Sequence, residues 1–228
     1  MSRFVISDIH GCPKTLKALV DKIGINKHDE VYFLGDYIDK GTDSAGVIDF
    51  VMDLQNDGYQ IHTLRGNHEE NLIQAHADYQ PKMFQKFVER INKSANLLDE
   101  NGNLKEKYLH FIQKLPYYIE LESIWLVHAG FNTKIDDMFS DTISMVEARR
   151  FEYDSIKLKG KKVIHGHEVF YFKDIENALK EDRDIIPLDN GCVYNKPHKV
   201  YDYEQVGNLC CLNIDTYGLV FQKNIDEV

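Results

Sequence analysis

Val31-Tyr-Phe-Leu-Gly-Asp-Tyr-Ile-Asp-Lys-Gly41 is the stretch that decides how this chain is read. Four apolar residues, Val31 to Leu34, have the composition of a short buried strand, and they stop abruptly at Asp36 and Asp39. The pattern recurs on both sides. Phe4-Val-Ile6 runs into Asp8 and His10, Ile61 to Leu64 into Asn67 and His68, and Ile124 to Val127 into His128. A shorter case is Val163-Ile164, running into His165-Gly-His167. In open α/β sheets the ligand site lies just beyond the carboxyl ends of such strands, so chemistry is expected to converge on one rim of one sheet.

The intervals support that reading. Between Lys14 and Lys22, Leu16, Leu19, Val20 and the following Ile23 fall at helical spacing, and Val47, Ile48, Val51, Met52 and Leu54 form an apolar face between about Asp43 and Asn56. Strand, helix, strand, helix, strand is the signature of a βαβ framework with a parallel sheet. Residues 71–118 break the rhythm: two or three amphipathic helices, interrupted near Pro81 and at Asp99-Glu-Asn-Gly-Asn103, read as an insertion beside the active rim. The final third, with Leu188-Asp-Asn-Gly191 and Leu209 to Ile214, reads as strands and turns of a second sheet packed on the first.

Composition bounds the function. With 228 residues and 43% hydrophobic content, the chain suffices for one globular domain over 1–228. A formal charge of -10 argues against broad binding to nucleic acid or to an anionic membrane. It leaves room for a small anionic substrate at a local cationic site. Arg3 followed by a short apolar run that ends at Asp8 is no signal-peptide core, and no apolar run is long enough to span a bilayer, so a cytoplasmic protein is expected. The four cysteines lack Cys-x-x-Cys spacing and are expected to be reduced and structural.

The strand-tip residues form a donor set. Asp8 and His10 alternate along what reads as one extended segment, which would aim both side chains to one side. Asp36 has two oxygens with which to bridge ions, Asn67 adds an amide oxygen, and His128 and His167 add imidazole nitrogens. Oxygen and nitrogen donors without thiolate suit Mn²⁺, Fe or Zn²⁺ and point to a two-metal centre.

In order, Ser7-Asp-Ile-His-Gly11, Gly35-Asp-Tyr-Ile-Asp-Lys-Gly41, Leu64-Arg-Gly-Asn-His-Glu69, His128-Ala-Gly130 and His165-Gly-His167 resemble the motifs of the calcineurin-like metallophosphoesterases, phosphoprotein phosphatase branch. The resemblance implies an α/β fold of two packed sheets in a sandwich flanked by helices. It implies that Asp8, His10 and Asp36 hold one divalent ion, and that Asp36, Asn67, His128 and His167 hold the other. His68 would be the general acid, oriented by Asp39, and Asn67 would also face the phosphate. Two dications roughly 3.5–4 Å apart lower the pKa of a shared water and clamp the oxygens of an in-line displacement.

Three departures from the family pattern stand out. Lys40 occupies the place of a phosphate-gripping arginine and keeps its charge without the planar fork, so Lys40 grips more loosely or Arg65 or another arginine compensates. The second phosphate arginine matches Arg149 or Arg150, between which the sequence does not choose. Val169 stands where nuclease-like relatives carry a second histidine, which places the chain nearer the phosphatase branch.

Some residues have plainer readings. Asn67 could serve as a helix cap as well as a ligand, His165 as a structural or orienting group, Asp189 as a turn that packs under the site, and Tyr117-Tyr118 as core. The expected function is hydrolysis of phosphate monoesters, phosphoserine or phosphothreonine in proteins foremost, with two ions such as Mn²⁺. The alternative is hydrolysis of a diadenosine polyphosphate, and a third reading is a metal-binding scaffold without turnover.

Overall fold

The computed structural model describes residues 1–91 and 93–227. The chain begins with β1 (Arg3–Ile6), α1 (Pro13–Ile23), β2 (Glu30–Phe33), α2 (Ser44–Asn56) and β3 (Gln60–Thr63). A helical stretch follows with α3 (Asn67–Asp78), α4 (Pro81–Lys86), a π turn at Phe87–Ile91 and α5 (Glu106–Gln113). Then come β4 (Tyr118–Glu120), β5 (Ile124–Val127), α6 (Thr142–Glu147), β6 (Lys162–His165), α7 (Phe172–Lys180) and β7 (Ile185–Pro187). The antiparallel pair β8 (Asn208–Asn213) and β9 (Gly218–Lys223) closes the chain.

Local signals explain the first two helices. Pro13 at the first turn of α1 gives up no needed N–H, and Gly24 takes the left-handed cap (φ 63°), which ends the helix. Asp43 caps α2 by accepting from the Gly46 N–H.

Among the described residues nine strands form two sheets, one ordered β3-β2-β1-β8-β9 and the other β4-β5-β6-β7. This is a two-sheet sandwich flanked by helices. The expected origin of the second sheet is corrected: Leu209 to Ile214 does not start it but joins the first, with Ile6 opposite Cys211. The second sheet comes instead from residues 118–187. A consequence is that the motif-bearing loops leave β1, β2 and β3 on one sheet and β5 and β6 on the other, all parallel within their sheets. The rim therefore belongs to two sheets rather than one.

Strand periodicity divides the core. Val5, Tyr32, Cys210 and Leu212 face Leu126, Ile164 and Ile186 between the sheets. Their neighbours Ile6, Phe33, Leu209 and Cys211 point the other way, against Leu16, Val47, Ile48 and Ile112 of the helices. Outside the second sheet, Trp125 packs with Phe131, Met138 and Met145 and donates its Nε1–H to the Leu158 carbonyl at 3.0 Å. Each such fully buried side chain contributes about 1.5–3 kcal/mol of hydrophobic stabilisation. All four cysteines are free and buried. Among the described residues no helix is long and apolar enough to cross a membrane.

The insertion is helical as expected, though its first helix starts at Asn67, inside the motif, rather than at 71. Tyr118 belongs to the core beside Trp125 and Phe139. Tyr117 packs against the same cluster, and its hydroxyl also meets Arg65 and Glu70.

Candidate metal centre

Beyond β1 the chain is not extended, which corrects the expected alternation of Asp8 and His10. His10 has φ 48°, and its N–H donates to the Asp36 carbonyl at 2.9 Å, together with that of Ile9 at 3.1 Å. Among the described residues nine non-glycine positions have positive φ, and five lie here: His10, Asp36 (52°), Asp39 (70°), Lys40 (61°) and His167 (66°). Such conformations cost roughly 1–3 kcal/mol each and persist only where surrounding structure holds them.

Much of that holding falls to Glu69, in the first turn of α3. Its buried carboxylate accepts from the N–H groups of Asp36 (2.9 Å), Tyr37 (2.9 Å), Ile38 (3.2 Å) and Gly66 (3.0 Å). Burial, and then Asp36, push Glu69 up to about 8 against those donors. Gly35 (φ 106°) lets the β2 loop lie on the Gly66 backbone, where a Cβ would collide.

The donors converge on Asp36. One of its oxygens is 3.3 Å from His10 Nε2 and the other 3.5 Å from His128 Nε2. Donor atoms of Asp8, Asp36 and His128 form one cluster within 4.8 Å, and those of His10, Asp36 and His68 form another. Asp36 is common to both. This grouping differs in part from the expected one, which set His10 with Asp8 and left His68 out. Asn67 Oδ1 is 3.1 Å from both His128 Nε2 and His167 Nδ1.

Backbone carbonyls fix two of the rings. His10 Nδ1 donates to Ile38 O at 2.9 Å and His128 Nδ1 to Leu34 O at 3.0 Å, which leaves each Nε2 with a lone pair facing Asp36. Burial pushes His10 and His128 down, and burial followed by His128 pushes His167 down to about 3. Neutral imidazoles are the form that ligates a metal. Asp36 is held well below the usual carboxylate range: burial acts against ionisation, but His128, His68 and His10 outweigh it. Asp8 is raised by burial, Asp189 and Asp36.

Two buried polar atoms test whether a cation fits. Asp8 Oδ1 and His167 Nε2 have no hydrogen-bond partner among the described residues. Orphaned acceptors beside three mutually repelling carboxylates are what a dication would satisfy. The donor set of carboxylate, amide and imidazole, without thiolate, fits hard or borderline divalent ions.

His68 stands at the edge of this group. Its Nδ1 is 2.6 Å from Asp39 Oδ2, and its Nε2 lies 3.9 Å from Asp36 Oδ2. Burial lowers this histidine, but Asp36 and the hydrogen bond to Asp39 more than offset it, so it sits above its ordinary value.

The cations divide. Lys40 Nζ is 2.8 Å from His10 Nε2, over the centre. Arg149 and Arg150 are both exposed, but only Arg149 acts electrostatically on His167, while Arg150 lines a separate cavity with Phe131 and Glu152. Arg65 does not compensate for Lys40. It is buried, and binds Glu70 at 2.9 Å and the carbonyls of Ile112 and Gln113 at the end of α5.

Sequence reasoning missed Ser94 and the role of Glu69, and read Asp189 as a turn that packs under the site, where the structure places it beside Asp8. Ser94, from the insertion, donates to Asp39 Oδ1 at 2.6 Å, and no motif marks it. Glu69 was legible only as part of a helix start. Asp189 is buried, accepts from the Gly191 N–H at 2.7 Å, and raises Asp8. His165 is a structural residue: buried, pushed down to about 4, with Nδ1 on the Gly166 carbonyl and its ring against Phe151.

A two-sheet sandwich whose strand-end loops gather carboxylates and imidazoles at one rim is the architecture of a metallophosphoesterase. The family model for calcineurin-like phosphoesterase matches residues 1–209, and the chain belongs to that family. A symmetrical bis(5'-nucleosyl)-tetraphosphatase from Buchnera aphidicola is 25% identical over 176 residues, 77% of this chain and 61% of that protein. The chain thus spans about three-fifths of that relative's length. An asymmetrical bis(5'-nucleosyl)-tetraphosphatase, PrpE, from Oceanobacillus iheyensis is 24% identical over 225 residues, with 88% of each covered. Among solved structures, a putative diadenosine tetraphosphatase superposes with TM-score 0.65 at 17% identity, covering 96% of this chain and 91% of its own. A protein serine/threonine phosphatase from Saccharomyces cerevisiae gives 0.61 at 15%, covering 100% and 81%. These structural likenesses show the fold alone.

Proposed function

We propose that residues 1–228 act as one domain that hydrolyses dinucleoside polyphosphates in the cytoplasm, in place of the phosphoprotein substrate expected from the motifs. The observation that carries hydrolysis is the convergence of His10, His68 and His128 on Asp36, with Asp39 behind His68. The substrate class is supported by curated relatives named for symmetrical and asymmetrical cleavage of bis(5'-nucleosyl) tetraphosphates.

In this reading Asp8, His10, Asp36, Asn67, His128 and His167 would together hold two divalent ions, with Asp36, common to both donor clusters, between them. When bound, the ions supply Lewis acidity to the phosphoryl oxygens and to the attacking water. The chain's own residues do the rest. Asp39 accepts from His68 Nδ1–H and so keeps the ring turned with Nε2 toward the centre. From Nε2, His68 gives a proton to the departing phosphate oxygen, a contribution of typically about 10²–10⁴-fold. Lys40 and Arg149 attract and orient the polyphosphate against a net charge of -10.

The test is steady-state hydrolysis by metal-stripped protein with and without Mn²⁺, with a dinucleoside tetraphosphate and a phosphothreonine peptide side by side. Metal-dependent release of nucleotides is expected, and chromatography of the products tells symmetrical from asymmetrical cleavage. Turnover of the peptide alone would return the protein to the phosphoprotein reading. Metal uptake without turnover of either would leave only the scaffold.

A further inference from the structure

A cavity of about 650 Å³ opens beside the metal centre, and Asp39, Lys40 and His68 form its inner wall. It lies within the size range of small-ligand sites. From there one face of α3 lines it outward through Asn71, Gln74 and Asp78, which continue the stripe begun by Asn67 at helical spacing. At 1.5 Å per residue that stripe is about 16 Å long from Asn67 to Asp78. All three outer residues are exposed, and the Asn71 side chain has no hydrogen-bond partner among the described residues.

Aromatic rings line the same space. Tyr79, just past the end of α3, meets Phe87 of the π turn edge to face, with centroids 5.6 Å apart. Tyr194, from the segment after β7, adds a third ring to the lining. Lys93 adds a second cation to Lys40. Reading outward from the centre, the lining therefore offers a proton donor, ammonium groups, side-chain amides and flat apolar rings.

We infer that this cavity binds the leaving nucleotide: its phosphates by Lys40 and Lys93, and its base by stacking on the Tyr79, Phe87 and Tyr194 rings with Asn71 and Gln74 at its edge. The inference rests on the proposed hydrolysis of dinucleoside polyphosphates and adds where the released half sits. His68 lines the cavity, and the group that takes its proton is the leaving oxygen, so the occupant of that cavity is the departing half. Ring faces hold any base, and side-chain amides pair with the polar edges of bases. A phosphopeptide would meet the same cations but has no planar base to place on the rings. The insertion at residues 71–118 would thus carry the substrate choice.

The test separates this from the parent reading by using binding. ADP and inorganic diphosphate are titrated calorimetrically into metal-free wild type, Phe87→Leu and Asn71→Ala. Phe87→Leu keeps apolar volume in the π turn, and Asn71 is an exposed helix position, so both variants are expected to fold, as far-UV circular dichroism would verify. Wild type should bind ADP more tightly than diphosphate, and Phe87→Leu should lose about 10-fold of ADP affinity with a smaller change for diphosphate. The ratio of kcat/KM for dinucleoside tetraphosphate to that for tripolyphosphate should fall in both variants. Equal ADP and diphosphate affinity in wild type, or an unchanged ADP affinity in both variants, would overturn the nucleotide site. Dinucleotide turnover is scored separately, and its absence would instead overturn the proposed function.

Discussion

Asp39 holds His68 from one side and is itself held from the other: its Oδ2 is 2.6 Å from His68 Nδ1, and its Oδ1 accepts from Ser94 at 2.6 Å. The proposed acid is thus tied to the insertion through one carboxylate. His68→Asn should lower kcat on an alkyl phosphate by up to about 10⁴-fold, but on a dinucleotide by nearer 10²-fold, because a nucleotide oxygen is a weaker base than an alkoxide and needs the proton less. Equal losses on the two substrates, or none, would sink the acid role.

Lys40 and a cation compete for one lone pair. Its Nζ lies 2.8 Å from His10 Nε2, and burial followed by Lys40 is what depresses His10. Lys40→Ala should therefore tighten Mn²⁺ uptake while raising KM for a polyphosphate about 10-fold through loss of a charged contact. A variant with weaker metal binding and unchanged KM would show that the lysine only supports the loop.

Arg65 is predicted to matter for stability rather than for phosphate. It is buried against Glu70, Tyr117 and two carbonyls of α5, so Arg65→Ala leaves two carbonyls without this donor and the Glu70 carboxylate without its cation, though Tyr117 and Gln74 still donate to it. A loss of about 2–4 kcal/mol in urea unfolding is expected, the lower side of breaking a buried pair, since neither partner is fully buried. A stability loss under about 1 kcal/mol with a large rise in KM would reverse the assignment.

The strand tips were legible because each is a local event: an apolar run, a stop, and a donor. That was enough to name Asp36 and Asp39 and to expect a sandwich. It could not say that Cys211 would lie opposite Ile6, because pairing between residues so far apart leaves no local trace. Ser94 was hidden for the same reason, since a serine in a helical insertion has no feature that announces Asp39 as its partner. Arg65 misled because adjacency to Asn67 and His68 suggested phosphate, whereas its side chain runs the other way to cap α5. The left-handed turns at His10 and Asp36 likewise went unread, as glycine was the only cue to such backbone and it lies one residue off each.

In the metal-free protein Asp189 should make a contribution to stability that falls with rising pH, opposite in sign to that of the buried histidines pushed down around it. Burial, with a later contribution from Asp36, pushes Asp189 up to about 6, and burial, Asp189 and Asp36 raise Asp8. These carboxyls bind protons more tightly folded than unfolded, so their contribution is full below about pH 4 and is lost as pH rises through about 6. The loss for Asp189 is on the order of 3 kcal/mol. Thermal melts of metal-stripped wild type and Asp189→Asn between pH 4.5 and 7 should show the variant gaining on wild type as pH rises, and Mn²⁺ at pH 7 should raise the wild-type melting temperature. A difference in melting temperature between wild type and Asp189→Asn that does not change with pH would remove Asp189 from the charge balance of the centre.

Gly166 fixes where Asp8 points. The next N–H, that of His167, donates to Asp8 Oδ2 at 2.9 Å, and a Cβ on Gly166 would land on Asp8 Oδ1, the buried oxygen that has no hydrogen-bond partner among the described residues. Gly166→Ala should therefore push the carboxylate off its position at a cost of about 1–3 kcal/mol of strain, which the core can bear. Metal stoichiometry is the sharper readout: the variant should keep its far-UV circular dichroism yet bind one equivalent of Mn²⁺ at least about 10-fold more weakly than wild type, since a donor displaced by even a fraction of an ångström loses its bond to the ion. Two equivalents bound at wild-type affinity would mean that Asp8 Oδ1 is not a ligand, and that the centre is built around His10, Asp36 and His128 without it.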